Sequence, residues 1–153
     1  MRVVRGDFLQ GGPMAKRLVV APTNGVITAR GLVMGAGAAR ALAQAEPRLP
    51  ALFAEAIRRV GTQRAGWWEY GFVAAGPYGA FQTKGDWRNP ADLGLIRLAA
   101  SRLRDFLEVH PGLEVHMAFP GIGLGGLKPE AVLRVLEEGL GPQGERVVLY
   151  RLR

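Results

Sequence analysis

Val115-His116-Met117-Ala118-Phe119-Pro120-Gly121-Ile122-Gly123-Leu124-Gly125-Gly126-Leu127-Lys128-Pro129-Glu130 passes from an apolar run, through a glycine-rich loop, into a helical pattern opened by proline. The run over 115–119 has the length of a buried strand, and 129–139 has helical spacing. Pro129 suits a first helical position, where its missing N–H costs nothing. A strand that feeds a helix through glycines is the unit of an α/β fold. Such a loop also lets backbone N–H groups come close to an anion at a helix N-terminus. One loop of this kind is a weak signal. A second, Gly35-Ala36-Gly37, follows the apolar run 18–21 and an intervening loop, and leads into an alanine-rich helix over 36–44. Two in one small chain suggest two walls of a single phosphate-binding cleft.

Outward from these loops the pattern continues. Strands are expected over 2–5, 18–21, 70–75, 80–83, 115–119 and 146–152. Residues 23–34 read as a loop crossing the top of the sheet. Residues 50–60 carry Leu52, Phe53, Ala56, Ile57 and Val60 on one helical stripe, and Gly61 ends it. Gly76-Pro77-Tyr78-Gly79 is a turn between two strands. Asn89-Pro90-Ala91-Asp92 reads as a helix start, with Asn89 as N-cap, Pro90 at the first helical position and Asp92 in the first turn. That helix runs to about residue 108. Strands alternating with helices predict an α/β sandwich, and the adjacent strands over 70–83 predict a mixed sheet. At 153 residues the chain is expected to form one domain over 1–153.

Composition narrows the function. Apolar residues make up 48% of the chain, enough for a sizeable core. No apolar run is long enough to span a membrane and no signal-peptide pattern opens the chain, so a cytoplasmic protein without membrane partners is expected. With no cysteine there is no disulfide framework, thiol nucleophile or cysteine-ligated metal. His110 precedes a Pro-Gly turn and His116 lies in a strand; neither has metal-ligand spacing with an acidic partner, so no metal and no cofactor are expected. The formal charge of +7, from 20 Lys+Arg against 13 Asp+Glu, attracts anions such as nucleotides, nucleic acid or phosphorylated partners. It is scattered rather than blocked. A solvated basic surface and a nucleic-acid role therefore stand about even. Trp67, Trp68 and Tyr70 read as packing aromatics.

The ordered set Arg5-Gly6-Asp7, Val20-Ala21-Pro22-Thr23-Asn24, Val33-Met34-Gly35-Ala36-Gly37-Ala38-Ala39, Thr83-Lys84-Gly85-Asp86-Trp87-Arg88 and Phe119–Leu127 resembles a macro domain along nearly the whole chain. The Met-Gly-x-Gly form and the Thr-Lys…Trp-Arg segment resemble the branch of ADP-ribosyl glycohydrolases that includes DNA-directed and terminal-ADP-ribose enzymes. The resemblance implies a three-layer α/β/α sandwich with a mixed central sheet and a cleft for ADP-ribose. It implies that Asp7 accepts a hydrogen bond from the adenine amino group, as an ionised carboxylate can. Gly35, Ala36, Gly37 and Ala38 would line the distal ribose and diphosphate. Gly121, Ile122, Gly123, Leu124, Gly125 and Gly126 would wrap the diphosphate through backbone N–H groups. Asn24 would read a distal-ribose hydroxyl, and Phe8, Met34 and Thr83 complete the implied substrate-binding set. Lys84 is the implied catalytic residue: an amine can attack the anomeric carbon, or add to the ring-opened sugar aldehyde as a Schiff base. Each position also has a bland alternative. Asp7 can cap a turn, the glycines can serve tight packing, Lys84 can pair with a phosphate, and Trp87 can simply pack.

Two departures from the pattern stand in the sequence. Ala21 occupies the place of the first asparagine of the family's pair. The second glycine loop carries no carboxylate before Glu130, and Asp86 is the nearest acid to Lys84. Three functions therefore follow as expectations. The first is an ADP-ribose-binding domain that hydrolyses ADP-ribosyl bonds on nucleic acid or protein through Lys84. The second is a non-catalytic ADP-ribose reader. The third is a basic nucleic-acid-binding α/β domain that uses Trp87 and Arg88.

Overall fold

In the computed structural model, which describes residues 1–152, the run over 18–21 becomes the middle of β2 (Arg17–Thr23), following β1 (Arg2–Arg5). A two-strand ribbon of β3 (Ile27–Thr28) and β4 (Gly31–Leu32) folds the next loop, before α1 (Gly37–Ala45) and α2 (Leu49–Val60). A second small ribbon pairs β5 (Thr62–Gln63) with β6 (Trp68–Glu69), ahead of the hairpin of β7 (Phe72–Ala75) and β8 (Tyr78–Gln82). Then come α3 (Leu93–Val109), β9 (Glu114–Ala118), a 3₁₀ turn (Gly123–Gly125), α4 (Pro129–Leu140), a second 3₁₀ turn (Gly141–Arg146) and β10 (Val147–Arg151).

The six-stranded sheet runs in the order β1-β10-β9-β2-β8-β7. All neighbours are parallel except the edge pair β7–β8, which the Gly76-Pro77 turn makes antiparallel. Central strands with both faces covered need apolar residues at successive positions rather than alternate ones. In β2, Leu18 and Val20 face α3 and α4, and Val19 and Ala21 face α1 and α2; all four are buried. The expected three-layer α/β/α sandwich with a mixed sheet is the observed architecture.

One local expectation is corrected. Asp92, not Asn89, is the N-cap of α3: its Oδ1 accepts the backbone N–H groups of Gly94 at 2.7 Å and Leu95 at 3.1 Å. Asn89 and Pro90 lie before the helix. The backbone N–H of Asp92 is instead taken by the Thr83 carbonyl at 2.8 Å, and that of Ala91 by the Gly125 carbonyl at 3.0 Å. These two bonds hold the segment before α3 against the ends of β8 and the second glycine loop. A cap three residues earlier would forfeit both. The four ribbon strands were not expected either, because two-residue strands leave no periodic pattern to read.

Candidate functional site: a cleft at the carboxyl edge of the sheet

Because β2, β8 and β9 are parallel, their carboxyl ends open on one edge, where ligands of α/β sheets bind. A cleft of about 880 Å³ lies there. Of the residues singled out from sequence, Asn24, Gly35, Ala36, Gly37, Ala38, Thr83, Lys84, Gly121, Ile122, Leu124 and Gly125 line it, together with Trp87, Arg88 and Phe119. Both glycine loops and Lys84 thus meet in one cavity. Asp7, Phe8, Met34, Gly123 and Gly126 are not in its walls. Phe8 and Met34 are buried in the apolar cluster beside Val19 and Ala21. The Asp7 carboxylate accepts the Leu9 N–H at 2.9 Å and so organises its own turn. Gly123 and Gly126 are exposed.

The two glycine loops play different parts. A side chain at Gly121, which has φ +78°, would meet the Ile96 side chain at 2.9 Å. One at Gly125 would meet Ala91 at 3.0 Å. These glycines let the second loop lie tight on α3 and on the segment just before it. A side chain at Gly35 or Gly37 would meet nothing within 4 Å, so the first loop presents bare backbone to the cleft. It leads into α1, whose N-cap Ala36 offers no side-chain hydrogen bond and whose first turn holds no acid. The unsatisfied N–H groups at that end therefore carry the helix's partial positive charge into the cavity. Among the described residues no carboxylate lines the cleft, while Lys84 and Arg88 do.

Asn24 is spent largely on structure. Its Nδ2 donates to the Val33 carbonyl at 2.9 Å and its Oδ1 accepts the Val26 N–H at 2.9 Å, which closes the loop between β2 and α1. Lys84 enters no ion pair among the described residues. Asp86 points elsewhere. Arg88 grips it with Nε at 2.9 Å and Nη2 at 2.6 Å, and the Arg88 backbone N–H adds a third bond at 2.9 Å. These bonds hold its carboxyl down at about 2, so at neutral pH it is no proton donor. The guanidinium also lies 5.5 Å from the Trp87 ring centroid. Because the folded carboxyl lies below its unfolded range, this contribution to stability is full above about pH 4 and is lost as pH falls toward 2. A carboxyl-carbon NMR titration of Asp86 is expected to show a midpoint near 2, returning to the usual carboxylate range in Arg88→Ala. An ordinary midpoint in the native chain would contradict the hook.

A buried polar hub beneath Lys84 was not foreseen. Gln82, fully buried at the end of β8, accepts the N–H groups of Tyr70 at 2.9 Å and Gly71 at 3.0 Å. It donates to the carbonyls of Trp68 at 2.8 Å and Lys84 at 3.3 Å. Beside it the buried Tyr70 hydroxyl donates to the Asn24 carbonyl at 2.7 Å and lies 2.5 Å from the Thr23 hydroxyl. Burial pushes the Tyr70 hydroxyl far above its ordinary range, outweighing the Thr23 bond, so it stays a neutral donor. Thr83 Oγ1 donates to the Thr23 carbonyl at 3.3 Å. The ends of β2 and β8, which carry Asn24 and Lys84, are thereby fixed to each other and to the segment before β7.

A central mixed sheet between two helical layers, with a cleft of about 880 Å³ at its carboxyl edge framed by two glycine loops, defines a macrodomain fold. Solved structures bear this out. The chain aligns over 97% of its length with the macrodomain of Mycobacterium tuberculosis DarG (TM-score 0.71, 23% identity, 95% of that chain). It aligns equally widely with the macrodomain of Thermus aquaticus DarG (TM-score 0.69, 23% identity, 95% of that chain). It also matches Thermosipho africanus DarTG in complex with ADP-ribose, over 97% of this chain and 40% of that one, at TM-score 0.66 and 17% identity. No family model and no curated protein matches the sequence.

Proposed function

We propose that the chain binds ADP-ribose in this cleft and cleaves ADP-ribosyl bonds through Lys84. One observation carries the reading: the uncapped N-terminus of α1 and the bare Gly35–Gly37 backbone open into the same cavity as Lys84. A diphosphate suits that end of a helix, where N–H groups and dipole act together. The second glycine loop forms the opposite wall. The adenine lies toward Asp7, whose Oδ1 already serves the Leu9 N–H, leaving Oδ2 for the adenine amino group. The distal ribose lies toward Asn24 and Lys84. The Lys84 amine attacks the anomeric carbon as the bond to the acceptor breaks, the proton shed by the amine passes to the departing acceptor, and its second proton passes to the ring oxygen as the sugar ring opens. The ring-opened sugar is then held as a Schiff base, and water releases ADP-ribose and regenerates the amine. The acceptor is an ADP-ribosylated nucleic acid or protein, and the setting is cytoplasmic; no helix of the described residues is long and apolar enough to cross a membrane.

A second reading is a reader without turnover. The absence of any carboxylate from the cleft walls favours it, since leaving-group protonation has no evident donor.

Calorimetry with ADP-ribose tests both. Saturable binding is expected, and none at millimolar ligand would overturn both. Gly35→Val is expected to weaken that binding at least about tenfold, because the new side chain enters open cleft rather than protein, with the melting temperature little changed. Equal affinity in that variant would move the ligand off the first loop.

A further inference from the structure

A second cavity of about 590 Å³ backs onto the Lys84 loop from the other side, sharing Asn89 and Pro90 with the main cleft. Its chemistry is the reverse of its neighbour's. Trp67, Leu95 and Leu98 give it aromatic and apolar surface, and among the described residues Glu69 and Asp92 are its only charged lining residues. No described lysine or arginine lines it, in a chain with 20 Lys+Arg against 13 Asp+Glu. The indole is held in place: a side chain at Gly85 would meet Trp67 Cδ2 at 2.6 Å, Cε2 at 2.8 Å and Cε3 at 3.0 Å, so the ring lies face-on to Gly85. Asp92 uses Oδ1 to cap α3. Glu69 is reached by Arg64 Nη2 at 3.3 Å, in a pair whose side chains are 47% and 31% exposed.

We propose that this second cavity binds the arginine side chain of a peptide partner. A guanidinium is planar and weakly hydrated; it stacks on an indole and pairs with carboxylates by parallel N–H bonds, which an ammonium does less well. The Arg64–Glu69 pair shows that a guanidinium reaches this carboxylate. A pair so exposed is weak enough to be exchanged. The volume lies within the range of small-ligand sites, about 300–1,000 Å³, and leaves room for flanking peptide backbone. The proposal stands apart from the ADP-ribose reading, since no shared ligand is needed.

The test titrates the native chain with N-acetyl-arginine methylamide, followed by tryptophan fluorescence and amide NMR. The citrulline analogue serves as a neutral isostere. Saturation by the arginine compound is expected, with perturbed amides at Gly85, Gly94 and Leu95. The citrulline analogue is expected to bind at least about fivefold more weakly. Glu69→Gln and Asp92→Asn are each expected to weaken arginine binding about 3- to 10-fold. Both keep the fold, because Asn caps a helix as well as Asp. Their ADP-ribose titrations serve as the control, expected unchanged. No saturation by the arginine compound, equal binding of the citrulline analogue, or unchanged affinity in both carboxylate variants would each overturn the proposal. Loss of ADP-ribose binding in the native chain would leave it standing and overturn only the function proposed for the main cleft.

Discussion

Lys84→Ala is expected to lower turnover of an ADP-ribosylated oligonucleotide or peptide by about 10³-fold, while affinity for free ADP-ribose changes little. The split follows from geometry. The groups offered to the diphosphate are the α1 N-terminus and loop backbone, which the substitution leaves in place. What it removes is the one uncommitted amine in the cleft wall. Lys84→Arg is expected to fail nearly as badly, because a guanidinium keeps its proton and cannot act as the nucleophile. Single-turnover kinetics give the rate. Borohydride reduction during turnover is expected to leave a sugar adduct on the native chain, identified by mass at Lys84, and none on either variant. A native rate in Lys84→Ala would remove lysine catalysis. No turnover by the native chain, with tight ADP-ribose binding, would make it a reader.

The parts of this site that could be read from sequence are those where local pattern and function coincide. The 18–21 run reads as a strand because both sheet faces bury it. Gly35–Gly37 is expected from sequence to line a ligand cleft, and in the structure nothing packs where its side chains would stand. Gly121 and Gly125 look the same in sequence, yet they are glycines because α3 approaches closely. Only the tertiary neighbours separate the two uses. Asn89-Pro90 has the composition of a helix start, but Thr83 and Gly125 carbonyls claim the N–H groups of the next two residues, so the cap shifts to Asp92. Asp7 and Asn24 each hold their own loop, which their residue types also favour locally. The binding roles proposed for them would come in addition to these structural ones. Gln82 was invisible for a simpler reason. At a strand end glutamine reads as surface, and three of its four partners lie 11–14 residues earlier in the chain, in a segment without periodic pattern.

That hub supports the second large effect. Gln82→Leu is expected to destabilise the fold by about 3–6 kcal/mol, measured by denaturant unfolding. It strands the N–H groups of Tyr70 and Gly71 and the Trp68 carbonyl in a buried site, each at about 1–3 kcal/mol. Gln82→Glu separates lost packing from lost hydrogen bonding, since the side chains are nearly the same shape. As an anion it still accepts both N–H groups, but it has no proton for the Trp68 and Lys84 carbonyls and is buried without a cation. Burial would raise the new carboxyl above the ordinary range of about 4.3 in the unfolded chain. A group whose folded value is raised contributes fully below its unfolded value and loses that contribution as pH rises through the folded one. Gln82→Glu is therefore expected to lie closer to the native chain in stability at pH 4 than at pH 7, a trend absent from Gln82→Leu. Because one Gln82 amide proton bonds the Lys84 carbonyl at 3.3 Å, Gln82→Glu is also expected to lower turnover more than ADP-ribose affinity at pH 7. Equal losses in both variants at both pH values would reduce Gln82 to a filler of space. A loss of turnover in Gln82→Glu that exceeds its loss of affinity would instead mark it as a residue that holds the Lys84 backbone in register with the cleft.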